Sequence, residues 1–71
     1  RFAEVLKVAE HIEAQGHKLS PHDTARKTMA LFRLGKADAA RACHRLYRER
    51  ATPKQAKITA KLERLLAPLY Q

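Results

Sequence analysis

Breakers are scarce in this chain, and each one stands at the edge of a run of apolar residues with helical spacing. Its 71 residues hold two glycines and three prolines. Phe2, Val5, Leu6, Ala9 and Ile12 repeat at the spacing of one helix face, and Gly16 then supplies a stop. Ser20 followed by Pro21 is a helix start, because serine accepts from free backbone N–H groups and proline has no N–H to leave unpaired. Asp23, three residues on, favours the positive helix end. Ala25, Met29 and Phe32 line that helix, broadened by Thr28, Leu31 and Leu34, and Gly35 closes it. A third helix is expected from Ala37 or Asp38 to about Arg50, with Ala39, Ala42, Cys43, Leu46 and Tyr47 on its apolar side. A fourth opens at Thr52-Pro53, where Gln55 completes a T-x-x-Q capping box. Ile58, Leu62, Leu65 and Leu69 follow at four-three-four spacing, and Pro68 is expected to end or bend the helix near Leu66.

No β-branched or aromatic alternation of useful length competes with this pattern. The fold class is therefore all-α, a small bundle of about four short helices, up-down or orthogonal. The short connections make neighbouring helices roughly antiparallel. The expected core is Leu6, Ala9, Ile12, Met29, Phe32, Cys43, Leu46, Ile58, Leu62 and Leu65. The stretch Leu34-Gly35-Lys36-Ala37-Asp38-Ala39-Ala40 resembles the turn between the two helices of a tetratricopeptide repeat. The first half of that repeat has no counterpart here, and one unit cannot bury its own face, so the segment reads as a generic helical hairpin.

A chain this short makes one domain, residues 1–71, and buries only about 60% of its unfolded surface. Its single cysteine, Cys43, cannot form an internal disulfide, which suggests a reducing compartment, cytoplasmic or nucleoid-associated. The chain opens on Arg1 rather than methionine and is expected to be a domain or subunit of a larger protein or assembly, with other protein subunits as neighbours. No apolar run approaches the roughly 20 residues of a membrane span, so no membrane partner is expected.

Charge carries the functional reading. Residues 1–23 hold three basic and four acidic side chains, a net of −1. Residues 24–71 hold twelve basic and three acidic, a net of +9, giving +8 overall. Such an asymmetry points to contact with a polyanion. Within it lie two rows. Arg41, Arg45 and Arg48 are spaced i, i+4, i+7 on the third helix, and Lys54, Lys57, Lys61 and Arg64 are spaced i, i+3, i+7, i+10 on the fourth. With the two helices antiparallel, both rows fall on one side, and Arg26, Lys27 and Arg33 of the second helix extend it. A merely solvated face mixes signs, whereas after Asp38 these two helices carry only Glu49 and Glu63 as acids.

Arginine forks pair bidentately with phosphate, and lysine adds field. Neither row contains the Asn, Gln or Ser residues that read base edges, so backbone contact with DNA or RNA is expected, with little sequence discrimination. His44 beside the arginines is expected to join these contacts. A helix-turn-helix over residues 24–50 would present Arg41, His44, Arg45 and Arg48. The alternative reading is a helical protein–protein adaptor whose basic face meets an acidic protein surface. Phe2 and Phe32 belong to apolar faces, Tyr47 is a candidate interface residue, and Tyr70 lies in a fraying end, so stacking platforms are not expected. The four histidines and Cys43 show no H-x-x-x-H or C-x-x-C spacing, so no metal, cofactor or catalytic role is expected.

Overall fold

Ser20 opens a helix and Gly16 and Gly35 close two, whereas the Thr52 capping box opens a 3-10 turn and the last α-helix begins only at Ala56. The computed structural model describes residues 1–70, which form four α-helices and no strand. These are α1 (Phe2–Ala14), α2 (Pro21–Arg33), α3 (Ala37–Arg50) and α4 (Ala56–Leu66). A 3-10 turn over Pro53–Gln55 leads into α4 and another over Ala67–Tyr70 follows it. Ser20 Oγ accepts from Asp23 N at 3.2 Å. Thr52 and Gln55 close the capping box, with Thr52 N donating to Gln55 Oε1 at 2.9 Å. The α-helical hydrogen bonding of the fourth helix ends at Leu66, ahead of Pro68.

Gly16 and Gly35 both adopt positive φ, at 83° and 79°. Each closes its helix with the same pair of bonds. His17 N donates to Ile12 O and Gly16 N to Glu13 O, while Lys36 N donates to Leu31 O and Gly35 N to Phe32 O. This double closure satisfies carbonyls that the helix leaves free, and it requires the left-handed backbone that glycine enters without steric cost.

Helix α2 is the central element, packed most closely on α3, then on α1 and α4. One core cluster, Leu6, Ala30, Leu31, Ala40 and Cys43, joins α1, α2 and α3. A second, Ala25, Tyr47, Leu62 and Leu66, joins α2, α3 and α4. Phe32 and Leu69 pack against both. Thr24 and Thr28 are buried in α2, their hydroxyls donating to the carbonyls of Ser20 and Thr24 at 2.8 Å, so neither buries an unpaired polar atom.

The core differs from the expected one on α3. Leu46 is 42% exposed, whereas Tyr47 is fully buried. The buried face runs through Ala40, Cys43, His44 and Tyr47 instead of Ala39, Ala42 and Leu46. Small alanines on either side let α3 rotate, and the orientation adopted is the one in which the large Tyr47 ring reaches α4. Its hydroxyl pairs there with Thr59 Oγ1 at 2.7 Å, so the tyrosine is buried without an unsatisfied group. Leu66 is likewise fully buried, whereas Ile12, Met29, Phe32, Ile58 and Leu65 are only partly so. Phe2 is 40% exposed, with the Arg33 guanidinium 6.0 Å from its ring centroid.

Candidate nucleic-acid interface

The ten candidate cations divide into tethered and free groups. Lys27 is tied to Glu13 of α1 at 2.5 Å and is partly buried, so it serves the α1–α2 contact. Arg33 lies over Phe2. Arg41 is half-buried, paired with Asp38 one turn back and donating to the Leu69 carbonyl at 3.4 Å. Arg26, Arg45, Arg48, Lys54, Lys57, Lys61 and Arg64 are exposed and have no acidic partner among the described residues. Unpaired like charges at i, i+3 and i, i+4 each cost a few tenths of a kcal/mol in an isolated helix.

Arg48 of the arginine row and Lys61 of the lysine row line different surfaces of α4. Arg48 lies beside Ala56, Thr59, Ala60 and Glu63, on the flank of α4 that faces α3. Lys61 lies on the opposite flank, where α4 faces α1 and α2. The reason is the seam itself. The Tyr47 side chain reaches from α3 to the Thr59 side of α4, and Ile58, Leu62 and Leu65 lie between that side and Lys61. The basic surface therefore consists of an arginine face on α3 and a lysine face around α4. Arg26 joins the lysine face, beside Lys61 and Arg1 at the rim of an apolar groove of about 400 Å³.

On the arginine face, Arg41, Arg45, Arg48, Glu49 and Tyr70 wall a cleft of about 440 Å³, and His44 forms part of its lining. His44 is only 4% exposed, not free to reach a phosphate as the sequence led us to expect. The helix-turn-helix expectation loses that presented residue with it. His44 Nδ1 lies 2.6 Å from the Tyr70 hydroxyl, and its buried Nε2 has no partner among the described residues. The two rings sit 5.7 Å apart with planes tilted by 51°. Sequence reasoning missed Tyr70, whose anchor lies 26 residues away in the chain. Comparison of the chain with protein-family models, with curated proteins and with solved structures returns no match.

Burial, and secondarily the positive charge of Arg48, hold the His44 pKa below its ordinary value, with Glu63 opposing. In the unfolded chain the imidazole takes up its proton near pH 6.5, before the folded one does. Below that pH the unfolded state binds more protons, so the stabilisation present above about pH 6.5 is lost as pH falls toward the lower folded pKa. Urea melts are expected to show a lower midpoint at mildly acidic pH than at neutral pH. A His44→Gln variant is expected to lose that part of the dependence, and an identical profile in the variant would assign the slope to other groups.

Cys43 is buried, its Sγ 3.6 Å from the Thr24 carbonyl, and desolvation, the dominant influence, pushes its thiol above the ordinary value. A thiol held protonated in this way acts as a small apolar side chain. Among the described residues no three His, Cys, Asp or Glu side chains gather as a metal-ligand set. No described helix is long and apolar enough to cross a membrane.

Proposed function

We propose that this domain binds nucleic acid through its phosphate backbone, working within a larger nucleoprotein assembly alongside other protein subunits. The observation that carries the reading is the exposed Arg45–Arg48 pair on α3, free of acidic partners among the described residues, in a segment of net charge +9. Two guanidinium forks one helical turn apart suit phosphate groups, which supply the countercharge. Lys54, Lys57, Lys61 and Arg64 add a field around α4, and Arg26 extends it. The reading assigns no catalytic step and no cofactor, and it goes with a cytoplasmic or nucleoid location.

A salt titration of binding to DNA and RNA, single-stranded and duplex, tests it. Each phosphate neutralised contributes about −0.9 to the slope of log K against log salt on duplex DNA and about −0.7 on single strands. With three to five contacts, roughly −2 to −5 is expected. Binding that is absent, or that ignores salt, would remove the reading.

A second reading rests on the groove between α1, α2 and α4. Phe2, Val5, Met29, Ile58 and Leu65 line it, and Arg1, Arg26 and Lys61 stand around it with no acidic residue in the lining. Its charge is complementary to an amphipathic helix flanked by Asp or Glu. Such an occupant would make the domain a protein–protein adaptor, using the lysine face instead of the arginine face.

A further inference from the structure

The cleft on α3 holds a feature that phosphate binding alone does not use. Tyr70 is 57% exposed, yet its hydroxyl is anchored to the buried His44. Its neighbour Leu69 packs into both core clusters, and the Leu69 carbonyl accepts from Arg41. The ring is thus presented to solvent with its hydroxyl held by His44 and the preceding residue fixed in the core, so ordering it on binding costs less conformational entropy than ordering a free side chain. Around it stand Arg45 and Arg48, which have no acidic partner among the described residues, and Glu49. The volume of about 440 Å³ lies in the range of small-molecule sites, roughly 300–1,000 Å³. An acid in the wall disfavours a cleft built for a lone phosphate, because a carboxylate only accepts hydrogen bonds. It suits the exocyclic amine of a base.

We propose that this cleft is a nucleobase site that makes the domain prefer single-stranded nucleic acid, with an unpaired base stacked on Tyr70 and its adjoining phosphates on Arg45 and Arg48. The proposal rests on the nucleic-acid reading and gives it a substrate class. A base inside a duplex is already stacked and paired, and reaching Tyr70 requires it to leave the helix at a cost of a few kcal/mol. A base on a single strand meets little of that cost, and stacking on an aromatic ring tolerates any base because each has a π-face. Glu49 then favours bases that carry an amino group over those that do not.

Tyrosine fluorescence tests this directly. The chain has no tryptophan and two tyrosines, of which Tyr47 is fully buried. Short oligo(dC), oligo(dA) and oligo(dT) strands and a matched duplex are titrated while tyrosine emission and affinity are followed. Saturation with oligo(dC) is expected to quench the emission. The Tyr70→Leu variant is expected to lose roughly 5- to 150-fold in single-strand affinity, the size of one stacked base. Its salt slope should not change, since no phosphate contact is removed, and its duplex binding should match the parent's. Tyr70→Phe keeps the stacking face but loses the hydroxyl anchor to His44, and its affinity is expected to fall between those of the parent and Tyr70→Leu. If Tyr70→Leu remains helical and binds oligo(dC) as tightly as the parent, the base site is overturned while the salt-dependent phosphate reading stands. Should Tyr70→Leu fail to fold, parent emission that stays unquenched at saturation overturns the base site on its own. Binding of no strand at all overturns both.

Discussion

Leu62→Ala is expected to unfold this domain. Leu62 is almost fully buried against Ala25, Tyr47 and Leu66, at the junction of α2, α3 and α4. Removing a buried leucine side chain costs about 2–5 kcal/mol through lost transfer energy and the cavity left behind. A single core in a chain below about 70–80 residues rarely supplies more than about 3–5 kcal/mol in all. With no disulfide to restrain the unfolded state, the substitution removes most or all of that margin. Circular dichroism melts and urea titrations provide the measurement, with Leu46→Ala as the comparison. Leu46 has the same chemistry but is 42% exposed, and its truncation is expected to lower the melt far less than that of Leu62. Equal melts for Leu62→Ala and the parent would refute the assignment of the second cluster as the structural centre.

The other large effect concerns the arginine face. Replacing Arg45 and Arg48 together by Gln is expected to remove two phosphate contacts. The log K–log salt slope should flatten by about 1.8 on duplex and about 1.4 on single strands. Affinity should fall alike for every sequence, because phosphate contacts position the nucleic acid without reading it. Both side chains are exposed, and their loss relieves like-charge crowding along α3, so the fold should survive. The matched pair Lys57→Gln and Lys61→Gln separates the two faces of the surface. Lys61 lies across α4 from Arg48, so a strand seated on the arginine face is expected to lose less from the lysine pair than from the arginine pair. A folded arginine variant with parental affinity and slope would leave the arginines as solvated charge and bring the adaptor reading forward.

The comparison variants in both expectations, Leu46→Ala and the lysine pair, depend on something the sequence did not disclose. Leu46 and Tyr47 are neighbours, and periodicity treats both as members of one apolar side. Choosing between them requires knowing that Thr59, twelve residues along, offers a partner for the tyrosine hydroxyl. The relation of the two basic rows was hidden in the same way. Each row was legible from its spacing, but their relative placement depends on how α3 rolls against α4. His44 read as a solvated companion of the arginines because it adjoins Arg45 in sequence. Its ring lies instead on the buried side, where Tyr70 closes over it.

What the sequence determined by itself was local. Helix starts at Ser20-Pro21 and Thr52-Pro53 and stops at Gly16 and Gly35 follow from hydrogen-bonding groups and backbone freedom within a few residues of each boundary. The all-helical class and the segregation of positive charge into residues 24–71 were legible for the same reason. Tertiary structure decided which face of α3 is buried, which cations are tethered by Glu13, Phe2 or Asp38, and that Tyr70 stands in an arginine-walled cleft. Each of these depends on side chains distant in sequence finding one another. Local signals do not distinguish one helix rotation from another, and only packing all four helices at once does so.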